Sequence, residues 1–112
     1  MKLLTLLIFS GDRFNIKGLL NDIIKLNQNN LNVRVVEWSE NRDILKKKKK
    51  IYNSFKSKIK SFKVYFHKGN WEYKYSRFIN KFKSKYILVI GDDDRLNLMN
   101  FKKINKYLNQ NF

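Results

Sequence analysis

Residues 3–24 read LLTLLIFSGDRFNIKGLLNDII, and the change of hydrophobic period inside this stretch decides the fold class. Leu3 to Phe9 is an apolar run, the pattern of a strand buried on both faces. Ile16, Leu19, Leu20, Ile23 and Ile24 then recur at helical spacing, one face of an amphipathic helix. Asn15 stands where a helix N-cap is expected. A buried strand followed at once by a helix is the first half of a βαβ unit.

The same alternation continues outward to the end of the chain. The turn-rich segment Asn27 to Asn32 closes the first helix, and Val33 to Val36 reads as a second strand. A lysine-rich helix follows, with Ile51, Phe55, Ile59 and Phe62 as its apolar stripe. Lys63 to Phe66 gives a short third strand. Tyr75, Phe78, Ile79 and Phe82 mark a third helix, Tyr86 to Ile90 a fourth strand, and Leu98, Phe101, Ile104 and Leu108 a last helix. The order β-α-β-α-β-α-β-α predicts an α/β fold with a mostly parallel sheet covered by helices. Right-handed crossovers restrict it to a doubly wound sheet.

Composition bounds the rest. The chain has 112 residues and a mass of 13.6 kDa, the size of one domain. It has no cysteine, which excludes a disulfide framework, a zinc ribbon and a thiol nucleophile. At 43% hydrophobic and 15% aromatic residues it must form a core. Its longest apolar runs, Leu6 to Phe9 and Tyr86 to Ile90, fall far short of the ~20 residues of a membrane span. No signal-peptide cleavage site follows the N-terminus, and the expectation is a cytoplasmic chain.

The formal charge is +16, which by itself directs attention to nucleic acid. Yet the sequence contains no Pro and no Ala, while Lys, Asn and Ile together supply 46 of the 112 residues. That is the signature of AT-rich coding, so part of the basicity reflects codon bias. The remainder is concentrated between Ile44 and Trp71, where 10 lysines occur and no acidic residue. Lys46 to Lys50 open a basic amphipathic helix of the kind that lies on anionic lipid or RNA; an ordinary solvated helix face has the same composition.

Only nine residues are acidic, and their placement is uneven. Asp12 follows the first strand, Glu37 ends the second, and Asp92, Asp93 and Asp94 follow the fourth. In open α/β sheets the carboxyl edge is where ligands bind, at the crevice where strand order reverses. Consecutive carboxylates suit a hard divalent cation, Mg²⁺ or Mn²⁺, shared with phosphate oxygens. They also suit the N-terminus of the last helix, whose dipole favours acidic caps. Gly91 allows the sharp backbone turn that either arrangement needs. His67, the single histidine, reads as a strand-end residue rather than a ligand.

Four segments, in order and at matching spacings, resemble the N-terminal nucleotide-binding half of GT-A glycosyltransferases of the family 2 type. They are Leu4 to Arg13 (LTLLIFSGDR), Val33 to Asn41 (VRVVEWSEN), Tyr75 to Asn80 (YSRFIN) and Tyr86 to Leu96 (YILVIGDDDRL). The resemblance implies a Rossmann-like domain over residues 1–112 that binds a nucleotide-diphosphate sugar through Mg²⁺ or Mn²⁺ at an Asp-X-Asp motif. It implies transfer to a cell-envelope glycan or lipid acceptor, with the acceptor half and the catalytic base outside this chain. By position, Ser10 and Asp12 would lie along the base and ribose, and Glu37 would hydrogen-bond the base. Arg77 would approach the diphosphate and sugar. Asp92 and Asp94 would hold the donor ribose and the metal; a one-residue shift would make Asp93 and Asp94 the pair. Three features depart from the family pattern: Phe9-Ser10-Gly11 replaces a Pro-Thr-Tyr turn, Trp38 replaces a second acidic residue, and Phe78 replaces the usual Asn. The alternative function is a non-catalytic basic module that binds RNA or an anionic membrane, on the inner face of which either version could sit.

Overall fold

The computed structural model describes residues 2–26, 28–67 and 84–110. The elements are β1 (Lys2–Ser10), α1 (Ile16–Ile24), β2 (Leu31–Glu37), α2 (Arg42–Phe55), β3 (Phe62–Phe66), β4 (Ser84–Gly91) and α3 (Leu98–Gln110). The expected helix around Tyr75 to Phe82, with Arg77, lies outside the described residues.

The four strands form one sheet in the order β3-β2-β1-β4, and every pairing is parallel. The expected α/β class is therefore the observed one. The chain winds from β1 through β2 to β3, then returns to place β4 on the opposite side of β1. The strand order reverses between β1 and β4, which puts the ligand crevice of such sheets at their carboxyl ends. Register aligns those ends: Ser10 pairs with Glu37, Glu37 with Phe66, and Phe9 with Gly91.

One hydrophobic cluster holds the layers together. Leu4, Leu6 and Ile8 of β1 and Leu31, Val33 and Val35 of β2 point to the same face, as alternate strand residues must, and meet Ile16, Leu19, Leu20 and Ile23 of α1. These four α1 residues are fully buried, each contributing ~1.5–3 kcal/mol of apolar transfer energy. Tyr52 and Phe55 of α2 and Phe101 of α3 complete the cluster. The three described helices thus pack on one side of the sheet.

Helix α2 departs from its expected stripe. Its buried residues are Lys48, Tyr52 and Phe55, while Ile51 is only half-buried. The helix ends at Phe55, so Ile59 is buried from the turn that follows and Phe62 opens β3. A stripe counted through Ile51 is rotated by one residue, ~100° of helix. The helix begins at Arg42 because the Asn41 side chain accepts from the backbone N–H groups of Asp43 and Ile44, at 3.0 and 3.1 Å. Asn15, by contrast, occupies the N-cap position of α1 without a side-chain capping bond.

Candidate functional site

The site grows from the row of residues at the strand ends. Ser10, the last residue of β1, is buried and donates its hydroxyl to Asp92 Oδ2 at 2.9 Å. Asp92 follows β4, is fully buried, and is tied to β1 by its own N–H donating to the Phe9 carbonyl at 3.1 Å. Its other oxygen, Oδ1, accepts from Arg13 Nε at 2.8 Å and Nη2 at 2.7 Å. The hydrogen bond and charge of Asp92 push the Arg13 guanidinium pKa further up, so Arg13 is a permanent cation at the crevice. Arg13 Nη2 also lies 3.9 Å from Asp93 Oδ1.

The adjacent half of the row is closed by α2. Lys48, in the middle of the lysine run, has a side chain with no solvent exposure and inserts under the strand ends. Its ammonium donates to Ser10 Oγ at 2.6 Å, to the Gly11 carbonyl at 2.5 Å and to Glu37 Oε1 at 2.7 Å. An ammonium has three N–H donors, and all three are used. Glu37 is equally full. Oε1 accepts from Lys48 and from the Tyr52 hydroxyl, and Oε2 accepts from the Ser39 N–H at 3.0 Å and the Ser39 hydroxyl at 2.6 Å. A carboxylate offers about four lone-pair sites. Burial, and then the charge of Glu37, pushes the Tyr52 hydroxyl pKa well above its ordinary value, so it remains a donor.

These contacts join Tyr52, Glu37, Lys48, Ser10, Asp92 and Arg13 into one line across β2, β1 and β4. Two cations balance two carboxylates within it. Only Arg13, with 52% of its side chain exposed, reaches solvent.

Asp93 and Asp94 lie outside this balance. Both are exposed, and their carboxylates converge over Gly91: a Cβ built there would lie 3.1 Å from Asp93 Oδ1 and 3.4 Å from Asp94 Oδ2. Asp94 Oδ2 accepts from the Gly91 N–H at 2.8 Å. The three aspartates do not cap the last helix. That helix starts at Leu98, with the Asn97 side chain accepting from Met99 and Asn100 N–H at 3.0 and 3.1 Å. Among the described residues no group of three or more His, Cys, Asp or Glu side chains is arranged to hold a metal ion. Asp92 faces inward, so Asp93 and Asp94 are the two carboxylates of the cluster left at the surface, the hard oxygen donors a divalent cation would need there.

The remaining expected residues fall nearby. Asp12 is exposed and its Oδ1 accepts from the Asn41 N–H at 3.1 Å, which links the β1 turn to the start of α2. His67 follows β3, where its N–H donates to the Glu37 carbonyl at 2.8 Å. A cleft of about 670 Å³ opens there, with Glu37, Ser39, Arg42, Lys49, Phe66 and His67 among its lining residues. Behind the aspartates, Arg95 grips Asp22 of α1 through Nε at 2.7 Å and Nη2 at 2.8 Å, and the Leu96 N–H donates to the same carboxylate at 3.0 Å. The Arg95 hydrogen bond holds the Asp22 carboxyl below the ordinary range.

Two of the departures from the family pattern, Gly11 and Trp38, are spatially coupled; Phe78 lies outside the described residues. A Cβ on Gly11 would lie 2.6 Å from Trp38 Cζ2, so the indole occupies the space that a side chain at position 11 needs. Sequence reasoning missed Lys48, Tyr52, Ser39 and Arg13 as members of the site. One signal was available for Lys48. Five consecutive helical residues sweep about 400°, so a run of five lysines on a packed helix must turn at least one inward.

No protein-family model matches the sequence, and no curated protein matches it. Solved structures do match. The chain superposes on Staphylococcus aureus TarS with a TM-score of 0.77 at 18% identity, over 98% of this chain and 20% of that one. Residues 1–349 of TarS give 0.79 at 18% identity, over 98% and 33%. The same TarS segment in complex with UDP-GlcNAc gives 0.73 at 18% identity, over 98% and 32%. The chain therefore spans between a fifth and a third of the TarS chains it matches. The fold, an α/β domain on an all-parallel sheet, is that of the part of TarS it superposes on.

Proposed function

We propose that this chain is the donor-binding part of a GT-A type glycosyltransferase and takes a uridine-diphosphate sugar at the carboxyl ends of β1 and β4. One observation carries the proposal: the exposed Asp93–Asp94 pair and the Arg13 cation stand side by side at the point where strand order reverses. The complexes of TarS 1–349 with UDP and UDP-GlcNAc support the choice of donor.

In this reading Asp93 and Asp94 hold Mg²⁺ or Mn²⁺, which when bound offsets the charge of the diphosphate leaving group. Arg13 presents its guanidinium to the same diphosphate and is kept in place by Asp92. Ser10 orients Asp92, and Asp12 with the first turn of α2 forms the wall on the ribose side. Arg77 belongs to the same proposal as the second cation near the sugar. The residues that activate an acceptor hydroxyl are not assigned to this chain, and a cell-envelope glycan or lipid is the acceptor class proposed.

Saturation-transfer NMR with UDP-GlcNAc and Mg²⁺ tests the proposal. Transfer to the uridine and N-acetyl protons, with the N-acetyl signal abolished by excess UDP, is the expected result; no transfer at millimolar ligand contradicts it.

The outer face of α2 favours one additional partner. Lys46, Lys47, Lys49 and Lys50 are exposed, whereas Lys48 is not, so four cations of the run remain for an anionic leaflet. No helix among the described residues is long and apolar enough to cross a membrane, and attachment through these lysines would be peripheral.

A further inference from the structure

Glu37 occupies the position at which the sequence resemblance implies a direct hydrogen bond to the nucleotide base, yet its environment leaves that bond no room. The residue is 1% exposed. Its four acceptor positions are taken by Lys48, the Tyr52 hydroxyl, and the N–H and hydroxyl of Ser39. A base donor could reach Glu37 only by displacing a buried partner, and displacement would strand a buried charge or hydroxyl without a hydrogen bond.

We infer that Glu37 acts on the nucleotide through Lys48, which is a positioning residue that pins the Ser10–Gly11 turn, and that Glu37 does not touch the base. Three features carry this. The Lys48 ammonium divides its donors between Glu37 and two consecutive residues of that turn, Ser10 Oγ and the Gly11 carbonyl. Accepting from Lys48 commits the Ser10 hydroxyl proton to Asp92, and Asp92 in turn holds Arg13. The Trp38 backbone N–H donates to the Ser10 carbonyl at 2.9 Å, so the residue whose indole lies beside Gly11 is tied to the same pinned turn. Loss of Lys48 frees the turn and relaxes Ser10, Asp92 and Arg13 together. The ligand concerned is the nucleoside diphosphate of the proposed donor, and the inference rests on that reading.

The test combines three variants with calorimetric titration of UDP and CDP in Mn²⁺, each at a temperature where circular dichroism shows the variant folded. In Lys48→Met, UDP affinity falls at least tenfold. In the double variant Glu37→Leu/Lys48→Met the buried charges are removed together, so thermal stability recovers while the tenfold loss of affinity persists. In Glu37→Gln the acceptor for Lys48 is kept, and the ratio of UDP to CDP affinity stays within twofold of wild type.

Wild-type affinity in the double variant would make Lys48 merely structural and overturn the inference. A shift of the UDP/CDP ratio beyond fivefold in Glu37→Gln would show that Glu37 reads the base, and overturns it even if the Lys48 variants fail to fold. Failure of wild-type protein to bind UDP at all would instead defeat the donor proposal, and this inference with it.

Discussion

Glu37 and Asp94 are both acidic residues at the carboxyl edge of a parallel sheet, and they live in opposite environments. Glu37 is sealed among four protein donors, whereas Asp94 faces solvent and spends one oxygen on the Gly91 N–H. The difference comes from what the next element brings. After β2 the chain enters α2, which delivers a lysine and a tyrosine back under the strand ends. After β4 it passes through an open turn and begins a helix only at Leu98. The edge is thus divided into a half that fixes backbone and a half that offers charge. Acidic residues that look alike in sequence fall on both sides of that division.

The division is most easily broken at Lys48. Lys48→Met leaves the Glu37 charge buried beside Tyr52 and Ser39 and should cost about 3–5 kcal/mol, measured by urea denaturation. Glu37→Leu/Lys48→Met should recover most of that loss. A loss below about 1 kcal/mol in the single variant would mean the pair is far more hydrated than its burial indicates.

Gly11→Ala comes next in size. Its methyl would have to push aside the Trp38 ring 2.6 Å away, an overpacking cost of about 1–3 kcal/mol. A shifted tryptophan emission maximum should accompany it, and unchanged emission would place the indole elsewhere.

A smaller effect sharpens the open side. Asp22→Asn weakens the grip on Arg95 behind the aspartates, and because Arg95 is 66% exposed the cost should be about 1 kcal/mol or less. The Asp22 carboxyl is held low in the folded protein. Its contribution is therefore complete above the unfolded carboxyl pKa of about 3.9 and disappears as pH falls through the lower folded value. Denaturation curves of wild type and variant should differ at pH 7 and converge once the pH has fallen through the lowered folded pKa of Asp22. A gap that persists in acid would contradict the ion pair as its source.

Smallest in stability is the outer face of α2. Changing Lys46, Lys47, Lys49 and Lys50 to Gln should alter stability by no more than about 0.5 kcal/mol per residue. It should remove salt-sensitive pelleting with vesicles of anionic lipid, to which each lysine adds ~1 kcal/mol near the surface. Pelleting that survives the change would exclude this helix as the contact.

Much of this was legible beforehand. Strand and helix order among the described residues followed from the change of period at Phe9 and its recurrence, and the cluster at Asp92 to Asp94 falls at the carboxyl edge beside the reversal of strand order, where its position after an apolar strand put it. What sequence could not separate was inward from outward. Asp92 and Asp94 differ by two positions in a polar turn with no period to orient them. Only the pairing of β1 with β4 places Asp92 over Ser10 and leaves Asp94 outside. Lys48 was hidden for another reason: hydrophobic patterning counts lysine as surface, although its long apolar stem lets it line a helix face like leucine. A stripe counted through Ile51 therefore lies one residue away from the one that Lys48 and Tyr52 bury.

The division itself is tested most directly by titrating UDP, with and without Mn²⁺, into wild type and Asp94→Asn. Mn²⁺ should strengthen UDP binding to wild type at least tenfold. It should leave binding to Asp94→Asn unchanged, although the denaturation curves of the two proteins superimpose. Equal Mn²⁺ dependence in both proteins, or a variant that unfolds early, would contradict the claim that the aspartates beyond β4 serve a ligand rather than the fold.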